Sequence, residues 1–545
     1  MRRDLLAWPA AALIALLCAA CSRSAPPRLN VLLISIDSLR ADRLGCYGHR
    51  AEYAPEVAVS PNLDALAARG VAFDSAWSTT SWTLPAHMAL LTGLPDRLHG
   101  VVGDEYVLNP QRRSLAQELR DAGYATAGFY SGPYLAPKYG FGRGFERYES
   151  AMTPLEQVPA ERLEALRAQL GPAITPKTLE DRWSHLDVTS PQVNAKAYEF
   201  LQQQAGRRPF FLFLHYFDAH YDYLPDAAEP GLGRKFDPGY TGSMIGENWY
   251  FNPQVFNPSA EGDRRQVIGE RDLHHVMALY DAEIHWVDRH IGQVLQKLQD
   301  LGVADRTLVC VVADHGDEFF EHGAIGHRST LYEELTRIPL LLYVPGATPP
   351  GMRVRPLVRI YDIAPSLLDY ACGGSLAEST GASLRPLIEG EREAPRSVQQ
   401  RIYGKLYGRV NVRDGYRDGR YAVLRQLTVD TDLTDEHSLH LRQRQWEDGS
   451  LRFDVFDKGT DRGEHVRLAP ADPRYREALA AACAAHRDTE ARARRLPRLH
   501  PDPAPPLTPE EWNNLQQLGY VDVNVPPEDM PPPRLLAPFP PPCAD

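Results

Sequence analysis

Positive charge, long apolar runs and cysteine are all in short supply. Lys and Arg number 59 against 71 Asp and Glu, a formal net charge of −12. A protein whose main partner is a phosphate backbone needs a basic surface, so nucleic acid is excluded in that role. Beyond residue 21 the cysteines are Cys46, Cys310, Cys372, Cys483 and Cys543, widely spaced and without a Cys-x-x-Cys pair. That pattern excludes a disulfide framework and a zinc knuckle. Cys310, inside the apolar run "TLVCVVAD", reads as a buried, inert side chain. There is no internal repeat, and 43% hydrophobic with 24% charged residues excludes a fibrous or disordered chain. At 545 residues there is room for one large α/β domain with a smaller appended piece, or for two or three ordinary domains.

The one sustained apolar stretch opens the chain. "MRRDLLAWPAAALIALLCAAC" (1–21) sets two arginines, an apolar segment and small residues in the order of a secretory signal. It is too short, and too quickly followed by polar chain, for a membrane span. "CAAC" before Ser22 resembles a bacterial lipoprotein box with Cys18 in the place of Leu, so that Cys21 would be lipidated and become the mature N-terminus. The alternative is plain cleavage and release; Arg2-Arg3 also resembles a twin-arginine start, without the rest of that motif. The expected location is the bacterial cell envelope, in the periplasm, held to the outer membrane by the lipid anchor only.

"LNVLLISID" (29–37) is a near-continuous apolar run ending in an acid, the pattern of a strand buried on both faces of a parallel sheet. The pattern recurs in "PFFLFLHYFDAH" (209–220), "RTLVCVVADHG" (306–316) and "IPLLLYVPG" (338–346). Helices fall between. "SPNLDALAARG" offers Ser60 as cap, Pro61 at the first helical position and Gly70 as the stop. In the long segment 272–302, Val276, Ile284, Val287, Ile291, Val294 and Leu298 recur at helical spacing, one face to pack on the sheet. The alternation predicts an α/β, doubly wound, mostly parallel sheet flanked by helices over 29–400. A smaller α+β subdomain follows over 401–500, with strands "GRYAVLRQLTV" and "LRFDVFDKG" and a helix in "RYREALAAACAAHRDTEARARRL"; 501–545 is an extension with a proline-rich, disordered tail.

In open α/β sheets ligands sit at the carboxyl ends of the strands. Asp37 ends one predicted strand, Asp314 with His315 ends another, and Thr83 precedes a predicted helix over 84–92, whose free N–H groups and dipole favour an anion. Two carboxylates, an imidazole and a hydroxyl at such a terminus would make a metal-assisted site for a tetrahedral oxyanion. Taken singly each residue has a bland reading: an acid at a strand end is commonly a helix cap, and "DHG" alone carries almost no information. Order and combination carry the inference.

That order resembles the sulfatase family of the alkaline phosphatase superfamily. The resemblance rests on "NVLLISIDSLRADRLGCYG", "SPNLDALAARGVAFDSAWS", "TLPAHMALLTGLPDRLHGV", "YDAEIHWVDRHIGQVLQKL", "VVADHGDEFFEHG", "TLYEELTRIPLLLYVPG", "IYDIAPSLLD" and "WNNLQQLGYV". It implies that Asp37, Asp314 and His315 bind a divalent cation and that Thr83 is the nucleophile facing it. The family's signature reads C/S-x-P-S-R, with Cys or Ser converted to formylglycine; here it reads Thr83-Leu84-Pro85-Ala86-His87. Oxidation of threonine at Cβ gives a ketone, so the formylglycine route is closed. Ser38 replaces the second acid of the family's Asp-Asp pair and His315 stands where Asn is frequent, which favours zinc or manganese over calcium. The family's "GKWHLG" stretch appears as "GFYSGPYLA" (128–136), without lysine or histidine, and His327 takes the place of a second lysine. His220 is the first choice for protonating the leaving group and His327 the second. His215, Asp218 and Asp222 beside His220 could add a second metal site, with a structural role the plainer reading of each. His285, His290 and His322 read as structural, and Arg40 and Asp42 as pins of the loop after the first strand.

A sulfate on an ordinary alkoxide is hard to remove again, whereas a phosphoryl group on threonine leaves by a second in-line displacement. The expected function is therefore metal-dependent hydrolysis of a phosphate mono- or diester through a Thr83 covalent intermediate, on a small-molecule or envelope substrate. The alternatives are a sulfuric ester hydrolase without formylglycine, a phospho-headgroup transferase, and a non-catalytic envelope lipoprotein that keeps the fold as a scaffold.

Overall fold

The apolar run of residues 30–36 becomes the centre of a sheet because nothing in it can face water: all of its residues are buried, and each buried Val, Leu or Ile side chain contributes about 1.5–3 kcal/mol. The computed structural model describes residues 28–103, 106–170, 182–247, 266–391, 395–406, 409–430 and 453–497, with a few isolated positions besides. The signal segment with Cys21, and the tail with "WNNLQQLGYV" and Cys543, lie outside the described residues.

In chain order the elements that matter are β1 (Asn30–Ile36), α1 (Pro61–Arg69), β2 (Val71–Phe73), α2 (Thr83–Thr92), β3 (Ala125–Tyr130), β4 (Arg147–Ser150), α3 (Ser190–Gln204), β5 (Phe210–Tyr216), α4 (Glu270–Asp300), β6 (Thr307–Ala313), β7 (Leu340–Tyr343), β8 (Met352–Val354) and α5 (Ile363–Cys372). They build an eight-stranded sheet in the order β8-β2-β7-β6-β1-β5-β3-β4. β1 runs parallel to both neighbours, with Val31 opposite Phe211 on β5 and Leu308 on β6. The α/β, mostly parallel expectation holds. Two features depart from the reading of the strands. β7, from "IPLLLYVPG", pairs antiparallel with both β6 and β2, because a buried apolar run specifies burial on two faces and not direction. β3, from "ATAGFY", adds a strand next to β5 that the pattern does not single out.

α1 forms where expected but ends by other means. Ser60 makes no capping bond to the helix; its Oγ donates to Asp64 Oδ1 at 3.0 Å and accepts the Gly45 N–H at 2.9 Å. Gly70 is not left-handed: a Cβ there would lie 2.5 Å from the Leu342 carbonyl oxygen, so β7 demands the glycine. α4 buries Val276, Ile284, Val287, Ile291, Val294 and Leu298, as its spacing predicts. Arg40 pins the loop after β1 by a two-point contact with Asp42 and a 2.6 Å bond to Glu321.

The C-terminal part is an antiparallel four-stranded meander of β9 (Val398–Leu406), β10 (Arg409–Arg417), β11 (Tyr421–Asp430) and β12 (Phe453–Asp457), with α6 (Pro473–Ala493) packed on it through Ala478 and Ala482. The expected boundary at 400 falls inside β9. Gln400 Nε2 donates to Ser78 O at 2.9 Å and the Arg401 N–H to Thr79 O at 2.8 Å, which fastens this sheet to the segment leading into α2. Cys310 and Cys46 are free, Cys310 being buried on β6, while Cys483 on α6 is disulfide-bonded.

Candidate active site

Parallel register sets the geometry. Ile36 on β1 is opposite Ala313 on β6, so the next residues, Asp37 and Asp314, leave adjacent strands side by side at the carboxyl edge of the sheet. Ser35 is opposite His215 on β5, which brings that imidazole to the same edge. Thr83 is the first residue of α2, after Trp82 in extended conformation, and every residue of α2 is buried. Its Oγ1 lies 3.2 Å from His315 Nε2 and 3.5 Å from Asp37 Oδ2. His315 Nε2 is 3.3 Å from Asp314 Oδ2 and 3.7 Å from Asp37 Oδ1. All four residues named for the centre by the sequence therefore converge.

The surrounding bonds orient these groups. The His315 Nδ1–H donates to the Gly316 carbonyl at 3.0 Å, which turns Nε2 toward the two carboxylates. Asp314 Oδ1 accepts the N–H groups of Ser38 at 3.2 Å and His315 at 2.9 Å, and the Ser38 hydroxyl donates to Asp37 Oδ1 at 3.1 Å. Beneath them His87, which the sequence sets at the last position of the 83–87 signature stretch without giving it a role, donates from Nδ1 to the Thr83 carbonyl at 2.9 Å and accepts the Ser35 hydroxyl at Nε2, 2.8 Å away. Burial, with His215 nearby, pushes the His87 imidazole down to about 4, so it is a neutral strut under α2.

The donor set fits a divalent cation. Asp37, Asp314 and His315 each turn one ligand atom to within 4.8 Å of the others. Asp314 Oδ2 and both ring nitrogens of His215 are buried without a hydrogen-bond partner among the described residues, although His215 Nε2 lies 3.3 Å from Asp37 Oδ2. Burial, reinforced by Asp317, pushes the Asp37 carboxyl up to about 6, and burial with the neighbouring Asp37 raises Asp314 as well. His315 moves up despite its burial, because Asp314 and Asp37 outweigh desolvation. Two carboxylates sealed from water, each with its proton affinity raised chiefly by burial, are the electrostatic mark of a site that welcomes positive charge.

A second layer lies to one side. The His327 ring lies tilted 4.5 Å from that of His315, centre to centre, and edge-on 4.9 Å from that of His220. His327 Nδ1 donates to Asp317 Oδ1 at 2.7 Å, and Asp317 Oδ2 accepts the Tyr223 hydroxyl at 2.6 Å. Burial and nearby His315 drive the His327 imidazole well below its ordinary range, burial and His327 do the same to His220, and burial lifts the Asp317 carboxyl to about 6. At neutral pH the His327–Asp317 contact is thus a neutral imidazole on a carboxylate. His315, Asp317 and His327 form a second possible metal-holding group. Its acid is Asp317, two residues past the "DH" pair, and not the expected Asp218 or Asp222. Asp218 accepts from Thr189, Ser190 and the Trp286 indole, and Asp222 pairs with Arg182 at 2.7 Å. His285 and His290 bond to backbone carbonyls, in keeping with structural roles.

With this geometry in place the comparisons with known proteins are decisive. The Sulfatase family model matches residues 29–374. The chain belongs to the sulfatase family. It is a hydrolase acting on ester bonds, within the alkaline phosphatase superfamily, and the family depends on a divalent metal. A second model, N-sulphoglucosamine sulphohydrolase, C-terminal, matches 320–435. Relatives include an arylsulfatase of Clostridium perfringens, 26% identical over 402 residues that cover 66% of this chain and 78% of that protein. The human N-sulphoglucosamine sulphohydrolase is 28% identical over 385 residues, 67% of each chain. Among solved structures, a protein captured with its substrate D-glucosamine-2-N,6-O-disulfate superimposes with a TM-score of 0.63 at 17% identity, over 86% of this chain and 99% of that one. The phosphonate monoester hydrolase of Silicibacter pomeroyi gives 0.59 at 21% identity, over 87% and 96%.

Proposed function

We propose that this sulfatase-family protein hydrolyses a phosphate mono- or diester through a covalent intermediate on Thr83. One observation carries the reading: the residue at the head of α2, with its oxygen 3.2 Å from His315 and 3.5 Å from Asp37, is a threonine. Its β-methyl group forbids the aldehyde that lets the family's usual nucleophile shed sulfate, and leaves an alcohol suited to phosphoryl transfer.

In the first step Thr83 Oγ1 forms a bond to phosphorus while the bond from phosphorus to the alcohol oxygen breaks. Asp37 Oδ2 is placed to take the hydroxyl proton. The departing alkoxide takes up the proton that Thr83 releases; on the neutral rings of His220 and His327, whose Nδ1–H groups are engaged, only the bare Nε2 is open, so either ring can relay that proton to the alkoxide but holds none of its own to give. In the second step water forms the new bond to phosphorus, the bond to Oγ1 breaks, and Thr83 recovers its proton. The free N–H groups at the N-terminus of α2 would stabilise the oxyanion, and Arg328, whose guanidinium lies 3.9 Å over the ring of Trp82 just before α2, is a cation that could add to them. A divalent cation on Asp37, Asp314 and His315, zinc or manganese by its mixed oxygen and nitrogen donors, would lower the hydroxyl's pKa and offset phosphoryl charge. We place the enzyme in the bacterial envelope, anchored through Cys21, from the export signal alone.

The test is a panel of nitrophenyl phosphate mono- and diesters against nitrophenyl sulfate with metal-loaded protein. Turnover of a phosphorus ester that disappears in Thr83→Ala and with chelator supports the reading. The names of the curated relatives favour sulfate instead, and turnover of sulfate with none of phosphorus would establish that alternative.

A further inference from the structure

Beside His220, with neither His327 nor Asp317 in its walls, the chain forms a small cavity lined by residues that include Asp187, Asp218, Asp222, His220, Glu283 and Trp286. Its space, about 20 Å³, suits one or two waters or a single substituent of that size. Glu283 enters it from the middle of α4. One carboxyl oxygen, Oε1, accepts the Leu224 N–H at 2.6 Å, while Oε2 is buried without a hydrogen-bond partner among the described residues. The side chain belongs to a residue only 6% exposed. A buried polar atom left unpaired is costly, so an orphaned oxygen in a cavity wall calls for an occupant.

The charge of the walls selects the occupant. Asp222 is paired with Arg182, but the donors to Asp187 are the Thr153 N–H and hydroxyl and the Val188 N–H, and those to Asp218 are Thr189, Ser190 and the Trp286 indole. The cavity therefore concentrates acidic groups whose hydrogen-bond donors are neutral, with an indole at its edge. Burial, aided by Asp218 and Asp222, holds the Glu283 carboxyl well above the usual range. An arriving positive charge relieves that repulsion, whereas an anion would add to it.

We propose that this cavity is a subsite for a primary ammonium group on the alcohol part of the substrate, with Glu283 Oε2 as its acceptor, so that the enzyme's substrates are esters of amino alcohols. The inference rests on the phosphoesterase reading for the bond that is cut, but not for the group that is bound. Size sets a limit on the ligand: a primary ammonium has the bulk of a water, and a trimethylated one does not. Glu283 is here a specificity residue, away from the reacting atoms.

A series of ω-aminoalkyl phosphates of increasing chain length, each beside the n-alkyl phosphate of matching length, tests this on the metal-loaded protein. The expected result is a length at which kcat/KM for the amino ester exceeds that for its alkyl partner at least tenfold, mostly through KM. Glu283→Gln keeps the shape and an acceptor for Leu224, and should cut that ratio to about threefold or less; Ala228→Leu, which fills the cavity wall without touching charge, should do the same. No length with a preference, or a preference that survives both substitutions, overturns the subsite. If neither series is turned over, the phosphoesterase reading falls by itself, and calorimetry with n-butylamine decides the subsite alone. Binding to the unsubstituted protein that Glu283→Gln weakens at least tenfold upholds it. No binding, or equal binding to both, ends it.

Discussion

Replacing Thr83 by alanine separates chemistry from stability more cleanly than any other change at the site. The substitution removes Oγ1 and a methyl from a residue 3% exposed. The hydrogen bonds of Oγ1 to His315 and Asp37, at 3.2 and 3.5 Å, are long and worth together about 1 kcal/mol, and the methyl adds about 0.8 kcal/mol. Stability should therefore fall by no more than about 2 kcal/mol, a small midpoint change in urea. Activity should collapse: loss of a covalent nucleophile removes about 4–8 kcal/mol of barrier lowering, three to six orders of magnitude in kcat. Thr83→Ser keeps the oxygen and should stay within about tenfold of the parent. Acid-quenched mass spectrometry during turnover should find a phosphoryl adduct on the peptide carrying Thr83. An alanine variant that retained a tenth of the activity, or an adduct on another residue, would refute the assignment of Thr83.

Other outcomes follow from features away from that oxygen. Zinc or manganese at about a hundred times its dissociation constant should stabilise the fold by about 2.7 kcal/mol in urea, and Asp314→Asn should abolish the effect. Asp362 is fully buried and takes hydrogen bonds from Arg359, Arg396 and the Ala382 N–H, so Asp362→Ala should cost about 3–5 kcal/mol by taking the carboxylate from the nearly buried Arg359 guanidinium. His322 directs Nδ1 at Glu334 Oε1, 2.7 Å away, and Nε2 at the Glu464 carbonyl, 3.2 Å away, an arrangement that needs both protons. Its imidazole is up at about 9: burial opposes the charge, and Glu334 outweighs it. A raised pKa gives stability that is whole below about 6.5 and lost as pH climbs through about 9. Glu334, raised by burial, shifts stability in the same direction at lower pH. Unfolding midpoints should drop between pH 7 and 9.5, by an amount equivalent to about 1–2 kcal/mol, and His322→Gln should flatten that slope.

The centre of the sheet is readable from the sequence because β1, β5 and β6 are near-continuous apolar runs whose carboxyl ends carry acids and histidines. Asp37, Asp314, His315 and Thr83 can be named because each sits at a boundary between elements, where local pattern and chemistry coincide. The direction of β7 is not written in its residues, since strand polarity depends on which edges pair. β3 is faint because alanine and glycine dilute its apolar signal; at Gly128 a Cβ would stand 2.6 Å from the Tyr148 ring, a constraint set by β4. Asp218 and Asp222 resemble ligands by proximity to His220, yet their partners come from residues 182–190 and 286. Asp317 stands in plain view in "DHGD", its signal simply the second acid; His87 is visible as the last residue of the signature stretch 83–87, but its role as a strut shows only through what it touches. Glu283 is invisible, one of several acids on an otherwise regular amphipathic helix.

The sealing of α2 on every side has an implication for how such an enzyme can diversify. A helix with no face open to water is a fixed mount: tilting it to suit a new ester would have to move the sheet, the β9–β12 meander fastened just upstream, and the imidazole beneath Thr83 all together. Adaptation to different alcohols is thereby displaced onto α4 and the turns around His220, where one exchanged side chain alters which ester is welcomed while the attacking oxygen keeps its address.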